Sequence, residues 1–354
     1  MNKTLKKTLF VIMSFVIMAV LTVSAAAATT IDSGTFGEGF AWTLDSDGKL
    51  TVTGEGEMEF DVQGTPAWKE HKDSISSVVI SEGITHIPFK AFDGYAGINS
   101  VSLPDSLKVI GGNAFCGCEN LESIDIPENT EAIYGWAFAA AGLKSITIPD
   151  SVTHLGDYVF YGTPLEAVTL SKNIDAIYYN TFAGCVNLKS IVIPDGVKKI
   201  YSSAFYRCDL LEEVIIPDSV ELIDDEAFFL CENLEELDLP ANLKEIGKEA
   251  FYGSGIKSFE LPEGLITIDE YAFSGTKAQG TLVIPDSVTG IGAYAFYRSE
   301  FSYVILGSGL KTIEANVFLG APTLNSVVIP ATVNTIKEGG LNGSFYAFSY
   351  FHYM

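Results

Sequence analysis

Short runs of alternating apolar and polar residues recur along most of the chain, and most of them end at an Ile-Pro or Leu-Pro pair. In "SIVIP" (190–194), Ile191 and Ile193 point to one side of the run and Val192 to the other. A period of two with β-branched residues predicts a short β-strand. Proline then ends the strand, because it has no N–H to donate to a continuing ladder.

The proline positions recur every 22 or 23 residues. They are Pro104, Pro127, Pro149, Pro194, Pro217, Pro240, Pro262, Pro285 and Pro330, with Ser81, Ser171 and Gly307 at the three places where proline is missing. Nine prolines and three replacements give twelve repeat units. A unit of this length cannot bury its own apolar face, so the pattern predicts a solenoid in which each unit is stabilised by its neighbours.

Two further columns stay apolar through the repeats and predict a shared interior. Six residues after each proline position lies an isoleucine, replaced once by Leu155. Eleven residues after it lies a phenylalanine, from Phe92 to Phe318, and only the twelfth unit breaks this column, with Leu341. Three residues after the phenylalanine lies a small residue, except for Tyr95 in the first unit, and in four units this residue is a cysteine, among them Cys208. We expect these thiols to be buried packing residues, with a disulfide among Cys185, Cys208 and Cys231 as the alternative.

The two ends lack the repeat. Residues 1–28 have a basic start, an apolar run and a small-residue region, the order of a secretory signal peptide, with an uncleaved membrane anchor as the alternative. Residues 29–73 contain two alternating runs joined at Asp45–Gly48, which predicts a β-hairpin that caps the repeats. A calcium loop is the alternative there, but the further ligands of an EF-hand do not follow. Residues 342–354 form a degenerate aromatic tail.

The net charge, the spacing of the histidines and the lack of catalytic motifs argue against several classes of function. The formal net charge is −24, and it becomes −27 without the three lysines of residues 1–28, which disfavours nucleic acid and anionic lipid as partners. His86 and His154 share a column but lie three units apart, about 15 Å by strand spacing, which is too far for one metal site. No known catalytic motif is present. We therefore predict no enzyme, no cofactor and no metal.

The stretches "NLESIDIPENTEAIYGWAF" and "GVKKIYSSAFYRCDLLEEVIIPDSV" resemble leucine-rich repeats of the BspA-like type, in which a strand ending in Ile-Pro alternates with an Ala-Phe turn and a Cys. The resemblance implies an α/β fold: a leucine-rich-repeat solenoid over residues 74–341, with one short parallel strand per repeat, about twelve repeats and an N-terminal β-hairpin cap. It also implies a secreted or surface bacterial adhesion module that binds host or microbial proteins, with no membrane insertion after signal cleavage.

Two repeated columns are candidate partner-binding surfaces, because repetition of the core leaves them free to vary. The first is the outward column of the strands and includes Val192, Ile215, Asp238, Glu260, Val283, Ile305 and Val328. The second directly follows the phenylalanine column and comprises Tyr161, Tyr206, Phe229, Tyr252 and Tyr297. The first column suits a protein partner, and Asp238 and Glu260 favour a basic one. The second column suits contact with a protein or a sugar. Alternatively, the residues of the first column only form strands and those of the second only pack against the repeats, without any ligand. The protein would then be a passive envelope spacer.

Overall fold

The computed structural model describes residues 27–60 and 64–342. The predicted signal peptide therefore lies almost entirely outside the described residues, and so does nearly all of the predicted tail.

The strands that precede the proline positions, here called the proline strands, stack in parallel. The period of the sequence sets their register, so that Val192 pairs with Ile215 and Ile305 with Val328. Within each sheet, their outward and inward residues consequently line up in columns. The bounds are Ser77–Ile80, Ser100–Ser102, Ser145–Thr147, Ala167–Thr169, Ser190–Val192, Glu213–Ile215, Gln279–Val283, Glu300–Ile305 and Ser326–Val328.

A second set of short parallel strands, the isoleucine strands, carries the isoleucine column. Ile200 pairs with Ile223 and Ile223 with Ile246, and all three side chains are buried. The bounds are Ile84–Ile87, Val109–Ile110, Ala132–Ile133, His154–Leu155, Ala176–Ile177, Lys199–Ile200, Leu222–Ile223, Glu245–Ile246, Thr267–Ile268, Gly290–Ile291, Thr312–Ile313 and Thr335–Ile336.

The third side of each repeat, here called the phenylalanine turn, also bonds to the next repeat through its backbone. The Phe205 N–H donates to the carbonyl of Ala227 (2.8 Å), and the Phe228 N–H donates to that of Ala250 (2.7 Å). The residue two before each phenylalanine has a positive φ, as at Ser203 (58°). The residue two after it does too, which explains why glycine usually stands there.

The phenylalanines form the centre of the core. Eleven of them, Phe92 to Phe318, are fully buried. Their rings stack face to face along the solenoid, with centroids 5.0 Å apart at the closest pair, Phe205 and Phe228, and 6.0 Å apart at the widest, Phe138 and Phe160. Each turn therefore covers the apolar face of the turn before it, as the repeat pattern predicted.

The N-terminal segment closes one end of this stack. Three antiparallel strands, β1 (Thr30–Phe36), β2 (Phe40–Asp45) and β3 (Lys49–Thr53), are followed by the short strand Gly56–Glu57 and the 3₁₀ helix Lys69–Ser74. The hairpin predicted at Asp45–Gly48 is confirmed, since the Gly48 N–H donates to the Asp45 carbonyl. Strand β3 pairs in parallel with the first proline strand, and Trp68 stacks on Phe92 at 5.5 Å. The boundary of this segment at residue 73 stays a prediction.

The predicted leucine-rich-repeat solenoid of parallel strands is confirmed, with about eleven complete turns. The structure adds a second short strand to each repeat. The α/β label overstated the helix content, because the described residues form one 3₁₀ helix and no α-helix. The third side of each repeat is instead the phenylalanine turn, whose backbone bonds to the next repeat. Within the same residues, no helix is long and apolar enough to cross a membrane.

Candidate binding surfaces

The histidines lie apart, each with its own neighbours. His71 Nε2 lies 2.6 Å from Asp32 Oδ2 in the N-terminal segment, and His86 contacts Glu57 at 3.7 Å. His154 lies between the rings of Tyr134 and Tyr178, while His352 falls outside the described residues. Over residues 27–60 and 64–342, no three His, Cys, Asp or Glu side chains converge in a way that could hold a metal ion.

Cys208 is a packing residue that also makes a hydrogen bond. It is fully buried and unpaired, and its thiol donates to the Phe182 carbonyl of the preceding turn at 3.2 Å. Burial raises the pKa of this thiol well above its usual range, so it is not an activated nucleophile. The alternative of a disulfide does not hold, since all five cysteines are free. Where a unit has Ser or Thr instead, as at Thr163, the hydroxyl donates to the phenylalanine carbonyl of its own turn.

The outward column of the proline strands divides into two apolar patches. Val283, Ile305 and Val328 lie side by side in the three-stranded sheet near the C-terminal end, where Val283 is 52% and Ile305 36% exposed. We call these three residues the C-terminal strip. Val192 and Ile215 form a second exposed pair in a separate two-stranded sheet.

Acidic side chains separate the two patches. Asp238 and Glu260 are exposed in the two units between them, where the ladder is reduced to a single bridge between Glu236 and Ser258. Acidic residues are poor strand formers, and like charges on neighbouring strands repel. A shallow depression lined by Ile215, Glu236 and Asp238 lies at this interruption. The predicted column therefore consists of apolar patches on either side of an acidic segment.

The predicted aromatic row is also divided. Tyr206, Phe229 and Tyr252 stack in parallel with centroids 4.9 and 5.0 Å apart. The next unit has Ser274 in that column. Tyr161 and Tyr297 therefore lie apart from the three stacked rings, each with different neighbours: Tyr161 contacts Trp136, and Tyr297 contacts Tyr294 and Arg298. The expectation of one row of five residues is corrected accordingly.

Sequence reasoning overlooked a second aromatic column, two residues before the phenylalanine. Trp136 stacks on Tyr158 at 4.2 Å, and Tyr271 stacks on Tyr294 at 4.7 Å. The signal was visible in the chain, because "GWAF", "DYVF", "EYAF" and "AYAF" place an aromatic residue at the same offset.

Parallel ladders on short repeats and a central phenylalanine stack define a β-solenoid of the leucine-rich-repeat class. The chain belongs to the BspA type leucine rich repeat family, whose repeat region matches residues 67–186, 153–279 and 244–350 in six copies. No curated protein matches the sequence.

Solved structures share the fold. A leucine-rich repeat protein from Bacteroides ovatus ATCC 8483 is 23% identical, covers 90% of this chain and 93% of its own, and has a TM-score of 0.67. A leucine-rich repeat protein from Eubacterium ventriosum ATCC 27560 is 20% identical, covers 88% and 95%, and has a TM-score of 0.53. A leucine rich cell surface protein from Faecalibacterium prausnitzii A2-165 is more distant, with 19% identity, 89% and 95% coverage and a TM-score of 0.41.

Proposed function

We propose that the chain is a secreted or cell-surface protein that binds other proteins, either host extracellular proteins or surface proteins of microbes, and so acts as an adhesion module. Membership in a family of bacterial leucine-rich-repeat surface proteins supports a protein-binding role in general terms. The single observation that carries this proposal is the C-terminal strip, an apolar row on a regular sheet in which Val283 and Ile305 are exposed and Val328 is half-buried.

The strip has the properties of an interface core. Its three side chains stand about 4.8 Å apart on adjacent strands, which makes a flat apolar row. Tyr303, on the strand that carries Ile305, is also exposed and adds an aromatic side chain to the same face. Aromatic and β-branched side chains at the centre of a contact, with charged groups at its edge, are typical of protein–protein interfaces.

The acidic segment beside the strip favours a basic partner. Glu236, Asp238 and Glu260 are exposed on the same face, in a chain whose formal charge is −24. Such an edge accelerates association with a positively charged surface, and the effect decreases as salt screens it. We expect the strip to contribute most of the affinity and the acidic segment most of the salt dependence.

The experiment compares two double variants on the same face. Val283→Lys with Ile305→Lys changes the C-terminal strip, and Val192→Lys with Ile215→Lys introduces the same charges on the other apolar patch. Binding is measured by biolayer interferometry to immobilised fibronectin, laminin and collagen, at low and at high salt. We expect the first variant to lose binding and the second to retain most of it, with both as well folded as the parent by circular dichroism. Equal loss in both variants, or retention by the first, would exclude the strip as the site.

Sugar binding by the predicted tyrosine row is the second candidate, and its support is weaker. Phe229 has a ring stacked on each of its faces, and Tyr206 and Tyr252 each have one face covered. All three side chains are half-buried, and Tyr252 also contacts Tyr271 edge-on at 6.4 Å, so little ring face is left for a sugar to stack on. A glycan array with the Tyr206→Ala and Tyr252→Ala variants tests this candidate, and a lack of binding to both proteins and glycans would favour a passive spacer.

A further inference from the structure

A second aromatic surface lies on the other side of the repeats from the proline strands, in the units that contain residues 134–201. Tyr134, Trp136, Tyr161 and Tyr179 are all exposed there, with Tyr134 at 47% and Trp136 at 38%. His154, Tyr158 and Tyr201 are each in ring contact with at least one of these four, and Tyr178 contacts His154 and Tyr201. We call this group the aromatic platform.

Trp136 is 38% exposed and has a ring stacked on one face of its indole; the other face, on which no ring is stacked, is here called the open face. One face of its indole is covered by Tyr158 at 4.2 Å, and Tyr161 leans against it at 5.6 Å with the ring planes tilted by 49°. In the preceding turn the same column holds Asn113, which has no ring to cover the other face. The two other tryptophans, Trp42 and Trp68, are buried.

The backbone conformation at Trp136 is unfavourable for a tryptophan. Its φ is +63°, in the left-handed region, where Asn is several-fold enriched and bulky residues are disfavoured. Three other turns have Asn in this column, at Asn113, Asn180 and Asn316. The positive φ is common to the whole column, so what distinguishes Trp136 is its exposure: the other aromatic residues of the column, Tyr158, Tyr271 and Tyr294, are half-buried.

The charge around the platform identifies the class of ligand. The three phenylalanine turns that carry it, residues 134–142, 156–165 and 178–187, contain one charged residue, Asp157. The corresponding turn at residues 224–233 contains Asp224, Asp225, Glu226 and Glu232. A charge-poor surface with an open aromatic face and phenol groups at its edge suits a ligand that combines an apolar face with hydroxyl groups.

We propose that the aromatic platform binds a neutral saccharide, with a pyranose ring stacked on the open face of Trp136. The hydroxyl groups of Tyr134 and Tyr161 and the carboxylate of Asp157 hydrogen-bond to the sugar hydroxyls. These three turns carry no arginine or lysine, and Lys199, whose Nζ lies 5.9 Å from the Tyr201 ring centroid, belongs to a later repeat than Trp136. An anionic glycan stacked on Trp136 therefore finds no cation in the turns around it. This activity is separate from protein binding at the C-terminal strip.

The fluorescence of Trp136 can be used to measure sugar binding. Because it is the exposed tryptophan, a sugar stacked on it should shift or quench the protein's fluorescence, while Trp42 and Trp68 remain constant. The probes are cellohexaose, laminarihexaose and a galactan oligosaccharide, each titrated into the full chain, with polygalacturonate as the anionic comparison. We expect saturable binding of at least one neutral probe and none of polygalacturonate. Binding of none of the neutral probes, or tighter binding of polygalacturonate, would overturn the proposal.

The Trp136→Asn variant separates binding from folding. Asparagine suits the backbone at this position, so the variant should unfold at the same or a higher urea concentration than the parent, yet lose about tenfold or more in affinity. Affinity of the variants is measured by isothermal titration calorimetry. Tyr294→Asn is the matched control, since Tyr294 lies in the same column with φ +60° and stacks on Tyr271, and it should bind the sugar normally.

A second variant keeps the test decisive if Trp136→Asn does not fold. Tyr161→Ala changes a different part of the platform and should weaken binding several-fold without altering the backbone. If Trp136→Asn folds and still binds with parental affinity, or if Tyr294→Asn loses binding to the same extent, the platform is not the site. The proposal would also be overturned if the protein bound no sugar but captured a purified matrix protein, and if Trp136→Asn abolished that capture.

Discussion

The phenylalanine stack leads to a prediction about two neighbouring residues of the same type. Phe228 is fully buried, and its ring lies 5.0 Å from that of Phe205 and 5.4 Å from that of Phe251. Phe229 is half-buried, with rings 4.9 and 5.0 Å on either side. The two residues thus have matched stacking and differ in burial, so replacing each by alanine isolates the contribution of the core.

Phe228→Ala should lower the free energy of unfolding by about 3–5 kcal/mol. This is the usual cost of removing a fully buried phenyl group, which combines lost transfer free energy with a cavity that the packed turns on either side cannot close. Phe229→Ala loses two ring contacts, each worth about 0.5–1.5 kcal/mol, but leaves no internal cavity, so we expect a cost of about 1–3 kcal/mol.

Urea unfolding followed by circular dichroism measures both costs. Because a solenoid can unfold from a weakened turn, hydrogen exchange should be used to locate the first region that opens in Phe228→Ala, which we expect around residues 205–251. If the two variants differ by less than about 0.5 kcal/mol, burial does not dominate and the reasoning about the core is wrong.

Further predictions concern titration and backbone conformation. Burial holds the Cys208 thiol protonated in the folded protein because its pKa is raised, whereas an unfolded thiol ionises above about pH 8.5. The folded state is therefore favoured below that pH, and the free energy of unfolding falls as pH rises above it, by up to about 1.4 kcal/mol per pH unit. Between pH 8 and 10, the urea midpoint should fall less steeply for Cys208→Ala than for the parent. Parallel plots of urea midpoint against pH for the two proteins would contradict this. Arg207 has φ +55° where Gly184 has +74°, so Arg207→Gly should raise the unfolding free energy by about 0.5–1 kcal/mol. Gly184→Arg should lower it, and the opposite order in thermal denaturation would refute the assignment of strain.

Most of the fold could be predicted because every unit repeats the same information. The isoleucine and phenylalanine columns, the proline that ends each strand and the small residue at Cys208 each recur nine to twelve times, so chance variation averages out. The isoleucine strands were not predicted, because two-residue strands such as Lys199–Ile200 are too short to show a period. Their pairing is visible only once the turns are stacked.

The candidate surfaces were predicted less completely, for a physical reason. A binding surface needs exposed side chains from neighbouring units to lie next to each other. A single unit with a different residue, or without a strand, interrupts that surface. Ser274 divides the tyrosine row, and the weak ladder around Glu236 divides the strand face. The aromatic platform draws on three different columns, at Tyr134, Trp136 and Tyr161, and no single periodic offset connects them.

The cysteine column has a consequence for how the protein reaches its folded state. Each buried thiol fills a core position and donates to a backbone carbonyl, as Cys231 does to Phe205 and Cys185 to Phe160. Small extracellular domains often depend on disulfides for stability, but here every cysteine is unpaired and the stacked turns supply the stability instead. The chain therefore needs no oxidising step to mature, and it should fold equally well in a strongly reducing environment, where a disulfide-dependent binding module would fail.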